Sequence, residues 1–207
     1  MKALGLMTVA LVAVLLAGCA SMSKDECLTA DWYAIGYEDG ANGQPTTRIG
    51  SHREACAKHG VTPNLRDYQD GHDEGIIHFC TAQSGFTRAR SGYQYTGICP
   101  PSLEPEFMDG YTAGRQIYTV NSELSSLRSE QRSNDNELRR LDQQLVEKEA
   151  ALFAASTPED QRRSLYDEIG LMKEQRGNLT QRNQQLIREV ADAEARLRQL
   201  QDRYSYY

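Results

Sequence analysis

Five cysteines and four histidines are the most chemically reactive side chains of this sequence. They are Cys19, Cys27, Cys56, Cys80 and Cys99, with His52, His59, His72 and His78. Thiolates and imidazoles bind metals, but no Cys-x-x-Cys pair supplies the usual spacing of a zinc site. His72 and His78 lie six residues apart, which separates them around a helix. No nucleophile-elbow, phosphate-loop or metalloprotease motif is present. We therefore expect no enzyme active site, no bound metal and no cofactor; the alternative is a structural metal at His52 and His59, which would share a face if their segment is helical.

The first nineteen residues have the pattern of a bacterial export signal. Lys2 supplies a positive charge, and residues 3–16 are almost wholly apolar, as in a secretory signal peptide. The following Leu16-Ala17-Gly18-Cys19 resembles a lipobox. That resemblance implies cleavage before Cys19 and acylation of its thiol and new amine. The alternatives are a transmembrane anchor, or an ordinary signal peptide followed by a free cysteine.

Acylation of Cys19 would determine where the protein resides. Each buried methylene contributes about 0.8 kcal/mol, so several acyl chains hold a protein stably to a membrane. Ala20 follows the cysteine, where resemblance to sorted lipoproteins would require aspartate for retention in the inner membrane. We expect lipid anchoring in the outer membrane, facing the periplasm. A pI near 5.3 argues against a nucleic-acid partner.

Composition divides the mature chain into two parts. Residues 19–114 contain 7 basic and 13 acidic residues, with every cysteine and histidine. Residues 115–207 contain 15 basic and 16 acidic residues and no cysteine or histidine. We predict a signal peptide at 1–18, a head at 19–114 and a coiled-coil hairpin at 115–207. The predicted fold class is mainly α.

The four cysteines that remain after Cys19 predict two disulfides in the head. An even number of cysteines in an exported chain favours pairing, because the periplasm is oxidising. Four cysteines allow three pairings, and the sequence alone does not select one. Cys27–Cys56 with Cys80–Cys99 is favoured because both disulfides would close short loops.

One pattern recurs three times in the head: an aromatic residue, glycine three later, tyrosine or histidine four later, and glycine seven later. The copies are Tyr33, Gly36, Tyr37 and Gly40; Tyr68, Gly71, His72 and Gly75; and Phe107, Gly110, Tyr111 and Gly114. Each copy occupies one helical face. Glycine inside a helix costs about 1 kcal/mol, so its repeated use favours close packing of helices. The alternative is a binding face for peptidoglycan, glycan or a small ligand through Tyr33, Tyr37, Tyr68 and Tyr111.

The segments between the repeats are less regular. Residues 51–59 predict a short helix that carries Cys56. Residues 81–101 contain three glycines and Pro100-Pro101, so they predict a loop or an irregular hairpin. Arg88 and Arg90 in this segment are candidate contacts for an anionic partner, unless they are solvated or paired with the acidic head.

The order of these motifs resembles a family of Gram-negative lipoproteins that is catalogued only as a domain of unknown function. The resemblance covers about residues 1–118 and implies an exported, lipid-anchored module, with no activity or catalytic residue to carry over. Its motifs are Cys27-x-x-x-Asp31-Trp32-Tyr33-x-Ile35-Gly36-x-x-Asp39-Gly40, His52-Arg53-x-x-Cys56, Tyr68-x-x-Gly71 and Cys80.

From Ile117 onward, seam residues recur at alternating spacings of three and four, which is typical of a left-handed coiled coil. One series runs to Ala155, and a second runs from Leu165 to Tyr204. Between them, Ser156-Thr157-Pro158 predicts a break, with Thr157 as the N-cap of the second helix and Pro158 as its first residue. A short break favours an antiparallel hairpin over one continuous helix in a parallel dimer.

Polar residues in the seam predict the register of the hairpin. A bend near Thr157 places Gln131 opposite Asn183, and a buried polar layer disfavours slipped registers. We expect a non-enzymatic structural or adaptor protein that binds the membrane through Cys19 and another envelope protein through the coiled coil. A homodimer remains open.

Overall fold

The computed structural model describes residues 22–207, so the export signal and Cys19 lie outside the described residues. This part of the chain is helical and contains no strand, which confirms the mainly α prediction. The helices are α1 Lys24–Leu28, α2 Trp32–Ala41, α3 Ile49–Ala57, α4 Leu65–Phe79, α5 Ala82–Arg90, α6 Glu104–Phe153 and α7 Glu159–Arg203, with a 3-10 turn at Thr46–Arg48. Two compact units result: a head unit of residues 22–89 and 93–112, and a hairpin unit of residues 90–92 and 113–207.

Helices α1, α2 and α4 of the head unit begin at side-chain caps. Ser23 and Glu26 form a capping box at α1, in which the Glu26 carboxylate accepts the Ser23 N–H at 2.7 Å. Asp31 accepts the N–H of Ala34 at the start of α2, and Asn64 caps α4 in the same way. Each such cap stabilises a helix by about 1 kcal/mol. The caps therefore offset part of the cost of the glycines inside α2 and α4.

Two disulfides connect the segments of the head unit. Cys27 and Cys56 join α1 to α3 with a Cα–Cα distance of 5.5 Å, and Cys80 and Cys99 join the end of α4 to the segment before α6 at 5.7 Å. This is the pairing that short loops favour. Each closure restricts the unfolded chain and stabilises the fold by about 3 kcal/mol in the chain-entropy account.

Helices α2 and α4 touch through the glycines of the first two repeats. A Cβ on Gly36 would lie 2.0 Å from the carbonyl oxygen of Tyr68, and a Cβ on Gly71 would lie 2.0 Å from that of Tyr33. Residue numbers rise together along both contact faces, so the two helices run in the same direction. Close packing is thus what these glycines permit. The same reciprocal contacts recur one turn later, between Gly40 and His72 and between Gly75 and Tyr37.

The third repeat packs against a segment whose predicted conformation is wrong. Residues 82–90 form α5 instead of belonging to a loop or irregular hairpin. Gly85 does not mark a turn there: a Cβ on it would lie 2.2 Å from the carbonyl oxygen of Phe107, and a Cβ on Gly110 would lie 1.8 Å from that of Ala82. Residues Ala82, Gly85, Phe86 and Ala89 thus occupy the four slots of the repeat in a degenerate copy.

Helices α6 and α7 form the predicted antiparallel hairpin. Its buried seam residues are Ile117, Val120, Leu124, Leu141 and Leu145 on α6, with Ile169, Leu186 and Ala193 on α7. The predicted cap at Thr157 is wrong, because Pro158 occupies the N-cap position and α7 begins at Glu159. The Thr157 hydroxyl instead donates to the Ala151 carbonyl at 2.7 Å and so satisfies the end of α6.

Ion pairs line both flanks of the hairpin. The Glu149 flank is defined by Lys173–Glu149 at 2.7 Å and Arg128–Glu194 at 2.6 Å. The Glu130 flank, on the opposite side, is defined by Arg182–Glu130 at 2.7 Å and Arg196–Glu123 at 2.6 Å. Exposed pairs of this kind contribute only about 0–1 kcal/mol each. Their main effect is to favour one register, because a slip along the hairpin separates the paired charges.

The register differs from the predicted one by about one helical turn. Asn183 Nδ2 donates to the Asp135 carboxylate at 2.6 Å, so Asn183 faces Asp135 and not Gln131. Its Oδ1 is buried without a hydrogen-bond partner. The prediction assumed a bend centred on Thr157, whereas the facing residues are centred closer to Glu159.

Adding one methyl group at the contact between α2 and α4 tests the role of the glycines. We expect Gly71→Ala to lower the free energy of unfolding of the head unit by about 1–3 kcal/mol or more, because the new Cβ meets the backbone of Tyr33. Fluorescence of Trp32, the single tryptophan, reports the transition during denaturation with the disulfides intact.

Gly50→Ala is the matched control, since a Cβ at this helical glycine meets nothing within 4 Å. We expect it to leave stability unchanged or to raise it by up to about 1 kcal/mol. Equal effects of the two substitutions would contradict the packing role.

Candidate functional site

A carboxylate in the head unit gathers donors from three segments. Asp39 on α2 accepts the Tyr68 hydroxyl of α4 at 2.8 Å and Nε2 of His52 on α3 at 2.8 Å through the same oxygen. Arg48 places its Nε 3.2 Å from the other carboxylate oxygen. Because a carboxylate only accepts, the His52 imidazole donates from Nε2. The Asp39 cluster, defined by these four residues, joins α2, α3 and α4.

Burial determines the protonation of the phenol in this cluster. Tyr68 has no exposed surface, although its hydroxyl reaches a carboxylate. Burial first, and the hydrogen bond to Asp39 second, raise the pKa of Tyr68 above its ordinary value. The phenol therefore stays protonated in the folded protein and acts as a hydrogen-bond donor. It does not supply a phenolate nucleophile near neutral pH.

The predicted histidine slot of the repeat lies beside this cluster. His72 is 4% exposed, and its Nε2 donates to the Gln44 carbonyl at 2.7 Å. Its Nδ1 is buried without a hydrogen-bond partner. The rings of His52, Tyr68 and His72 follow one another with centroids about 6 Å apart. Residues 22–207 contain no group of three or more histidine, cysteine, aspartate or glutamate side chains that could hold a metal ion.

The tyrosines predicted as alternative ligand contacts mostly serve the fold. Tyr68 is buried, and the Tyr111 hydroxyl donates to the Tyr93 carbonyl while accepting the N–H of Tyr95, both at 3.1 Å. Tyr33 is 40% exposed, but its hydroxyl donates to Glu74. Tyr37 meets the edge of the His78 ring. The repeats therefore do not form one shared aromatic face towards solvent.

The predicted anion contact at Arg88 is also used within the head unit. Its guanidinium carbon lies 4.3 Å from the centroid of the Phe79 ring, and its Nε donates to Ser84 Oγ at 3.1 Å. Phe79 in turn stacks on Phe107 at 5.4 Å. Arg88 therefore covers the core around Phe79 and Phe107 through a cation–π contact, which contributes about 0.5–1 kcal/mol.

Large apolar side chains remain exposed on the hairpin unit. Phe153 is 82% exposed, Tyr166 71%, Val146 68%, Leu171 68% and Ile187 57%. Sequence analysis did not identify them, because each lies outside the seam positions that the heptad pattern marks. A regular coiled coil places polar residues there, so apolar residues next to seam positions were the available signal. No described helix is long and apolar enough to cross a bilayer.

Comparison with known proteins finds a family match within the head. Residues 31–116 match the family described as "Protein of unknown function (DUF2799)". The head therefore resembles DUF2799 domains, and we refer to it as the DUF2799 head. The match confirms the resemblance to a family of unknown function and spans both helix pairs of the DUF2799 head. No curated protein and no solved structure matches the chain.

The Asp39 cluster lies within the matched residues and was not predicted as a unit. Asp39 stood out in the sequence only as a letter of the family motif, and His52 as a motif letter and as one of the four histidines. Their juxtaposition depends on how α2, α3 and α4 pack, which no local pattern encodes. As arranged, the cluster orients side chains and satisfies buried polar atoms, so it positions the helices of the DUF2799 head.

The raised pKa of Tyr68 predicts a loss of stability in alkali. The unfolded chain releases this proton near a pKa of about 10, whereas the folded chain holds it to higher pH. The stabilisation is complete below pH 10 and is lost as the pH rises towards the folded pKa. The free energy of unfolding of the parent protein should therefore fall above pH 10. We expect Tyr68→Phe to make this fall less steep by about 1.4 kcal/mol per pH unit, measured by Trp32 fluorescence during denaturation.

Tyr166→Phe is the control, because this exposed tyrosine belongs to the hairpin unit. Its alkaline stability curve should coincide with that of the parent protein. Parallel curves for Tyr68→Phe and the parent protein would refute a protonated, buried Tyr68.

Proposed function

We propose that the protein is a lipid-anchored envelope lipoprotein of the outer membrane, facing the periplasm, with a non-enzymatic structural or adaptor role. The lipobox-like Leu16-Ala17-Gly18-Cys19 and the four paired cysteines support an exported, oxidising location. In this proposal the DUF2799 head is the stable base of the protein. The hairpin unit makes contact with another envelope protein.

The distribution of exposed apolar surface supports the part of this proposal that assigns partner contact to the hairpin unit. In the DUF2799 head, Tyr68, Tyr111 and Arg88 are engaged within the fold. On the hairpin unit, large apolar side chains of both flanks are more than half exposed and have no role in the seam: Val146, Phe153, Tyr166, Leu171 and Ile187. Exposed apolar clusters of this kind mark protein contacts. Binding of peptidoglycan, glycan or a small ligand by the head has less support, because its aromatic groups are largely used internally.

Loss of the lipidated thiol tests the anchor. We expect the parent protein to incorporate radiolabelled palmitate in cells and Cys19→Ser to incorporate none, because the thiol is the acyl acceptor. The double variant Cys27→Ser/Cys56→Ser lacks a disulfide but keeps Cys19, so it should still be labelled. Mass spectrometry that finds residues 1–18 intact, or an unmodified Cys19, would refute the anchor.

Disruption of the hairpin seam tests the adaptor role. Leu186 has no exposed surface, so Leu186→Asp buries an unpaired charge and should unfold the hairpin unit. Crosslinking in whole cells should capture a specific envelope protein with the parent chain and lose it with this variant. Trp32 fluorescence checks that the head remains folded. Capture that persists would assign recognition to the DUF2799 head.

A further inference from the structure

The exposed apolar residues of the hairpin unit gather mainly on the Glu149 flank. Val146 precedes Glu149 by three residues and Phe153 follows it by four, so both share its helical face. Tyr166 lies seven residues before Lys173 and Ile187 lies fourteen after it, which places them on the Lys173 face. All four therefore surround or extend from the Lys173–Glu149 pair.

Two glycines make the same flank unusually flat. Gly170 lies three residues before Lys173 and Gly177 four after it, and a Cβ at either position would meet nothing within 4 Å. Each costs helix α7 about 1 kcal/mol relative to alanine. In the head, the repeat glycines at Gly36 and Gly71 touch the backbone of a neighbouring helix. The Glu149 flank thus has glycines suited to helix contact, next to bulky apolar residues, without a neighbour within the hairpin.

The register of the hairpin makes this flank complementary to itself. The numbers of facing residues add up to 318 for Asp142 with Arg176 and to 319 for Glu123 with Arg196. Phe153 and Tyr166 add up to 319, so they lie at the same height on opposite helices. When two copies are related by a two-fold axis parallel to the hairpin, α6 of each copy faces α7 of the other. This arrangement therefore lays Phe153 of each copy on Tyr166 of the other, and Val146 near Gly170.

We propose that the Glu149 flank is a self-association surface, on which two copies of the chain pair in parallel as a four-helix bundle. Charges on the flank fit the same arrangement. Arg139 lies seven residues before Val146 and so shares its face, while Glu174 lies between the two glycines on α7. In the paired copies Arg139 comes within about 8 Å, along the axis, of Glu174 of the second copy. That distance is within reach of an arginine side chain.

The area of the flank is that of a weak dimer, which anchoring of both copies to one membrane would favour. Ile187 follows Tyr166 by 21 positions, which corresponds to about 32 Å along the helix, and two helices together are about 20 Å wide. Pairing would bury about 600 Å² of each copy, at the lower end of specific interfaces. The parallel orientation rests on the proposed function, because copies anchored through Cys19 share one membrane and reach a high effective concentration.

Photo-crosslinking of the full-length protein in cells tests this surface. With p-benzoylphenylalanine in place of Phe153, we expect a product of twice the monomer mass whose joined peptide contains Tyr166. The same probe at Leu171 is the matched control: Leu171 is 68% exposed but lies three residues after Glu168 and four before Gln175, which reaches Glu137 on the Glu130 flank. It should give little or no such product.

A charge on the surface provides the second arm. Tyr166→Glu should lower the yield of dimer from position 153 by about tenfold or more, since an unpaired buried charge costs at least 1.4 kcal/mol. Leu171→Glu should leave that yield unchanged. A product from position 153 with a different protein, equal dimer yields from positions 153 and 171, or no product of dimer mass would each overturn the proposal. Failure of the anchor appears separately, as loss of palmitate at Cys19.

Discussion

Direct backbone contact between α2 and α4 is the constraint on which the DUF2799 head depends. Gly36 and Gly71 bring each helix against a carbonyl oxygen of the other, where any Cβ would collide. That close approach also sets Asp39 within 2.8 Å of the Tyr68 hydroxyl. A wider separation would leave the buried Tyr68 hydroxyl unpaired, at a cost of about 1–3 kcal/mol. The glycines therefore permit the polar cluster as well as the packing.

The two halves of the head are stabilised in the same way. In the first half, Cys27 precedes α2 and Cys56 precedes α4; in the second, Cys80 precedes α5 and Cys99 precedes α6. Each pair of helices thus combines one disulfide with one glycine-mediated contact. Neither half contains many large apolar residues, and small cores of this kind need covalent support. The disulfides limit the unfolded chain, while the glycines let few residues fill each core.

Sequence patterns predicted the elements that depend on local spacing and missed those that depend on packing. The helical faces of the repeats and the seam of the hairpin follow from periods near 3.6 residues. Helix α5 was missed because Gly85 resembles a turn residue unless its contact with Phe107 is known. The register was misplaced because seam positions repeat every heptad, so ion pairs such as Arg176–Asp142 select among similar alignments. The Asp39 cluster joins three segments and has no sequence period at all.

Sparse burial in the centre of the hairpin seam gives the exposed apolar residues of its flank a stabilising role. Between Leu124 and Leu141 no apolar residue of α6 is buried, and none of α7 is buried between Ile169 and Leu186. This stretch relies on half-buried seam residues such as Leu127, Leu138 and Leu179, together with Asn183 and exposed ion pairs, which contribute little to stability. A hairpin with a weak central seam gains from apolar burial on its flank, where burial contributes about 25 cal/mol per Å² before the cost of association. Val146 and Ile187 lie just beyond this stretch on α6 and α7, so a helix contact that covers them would stabilise a weakly packed part of the hairpin.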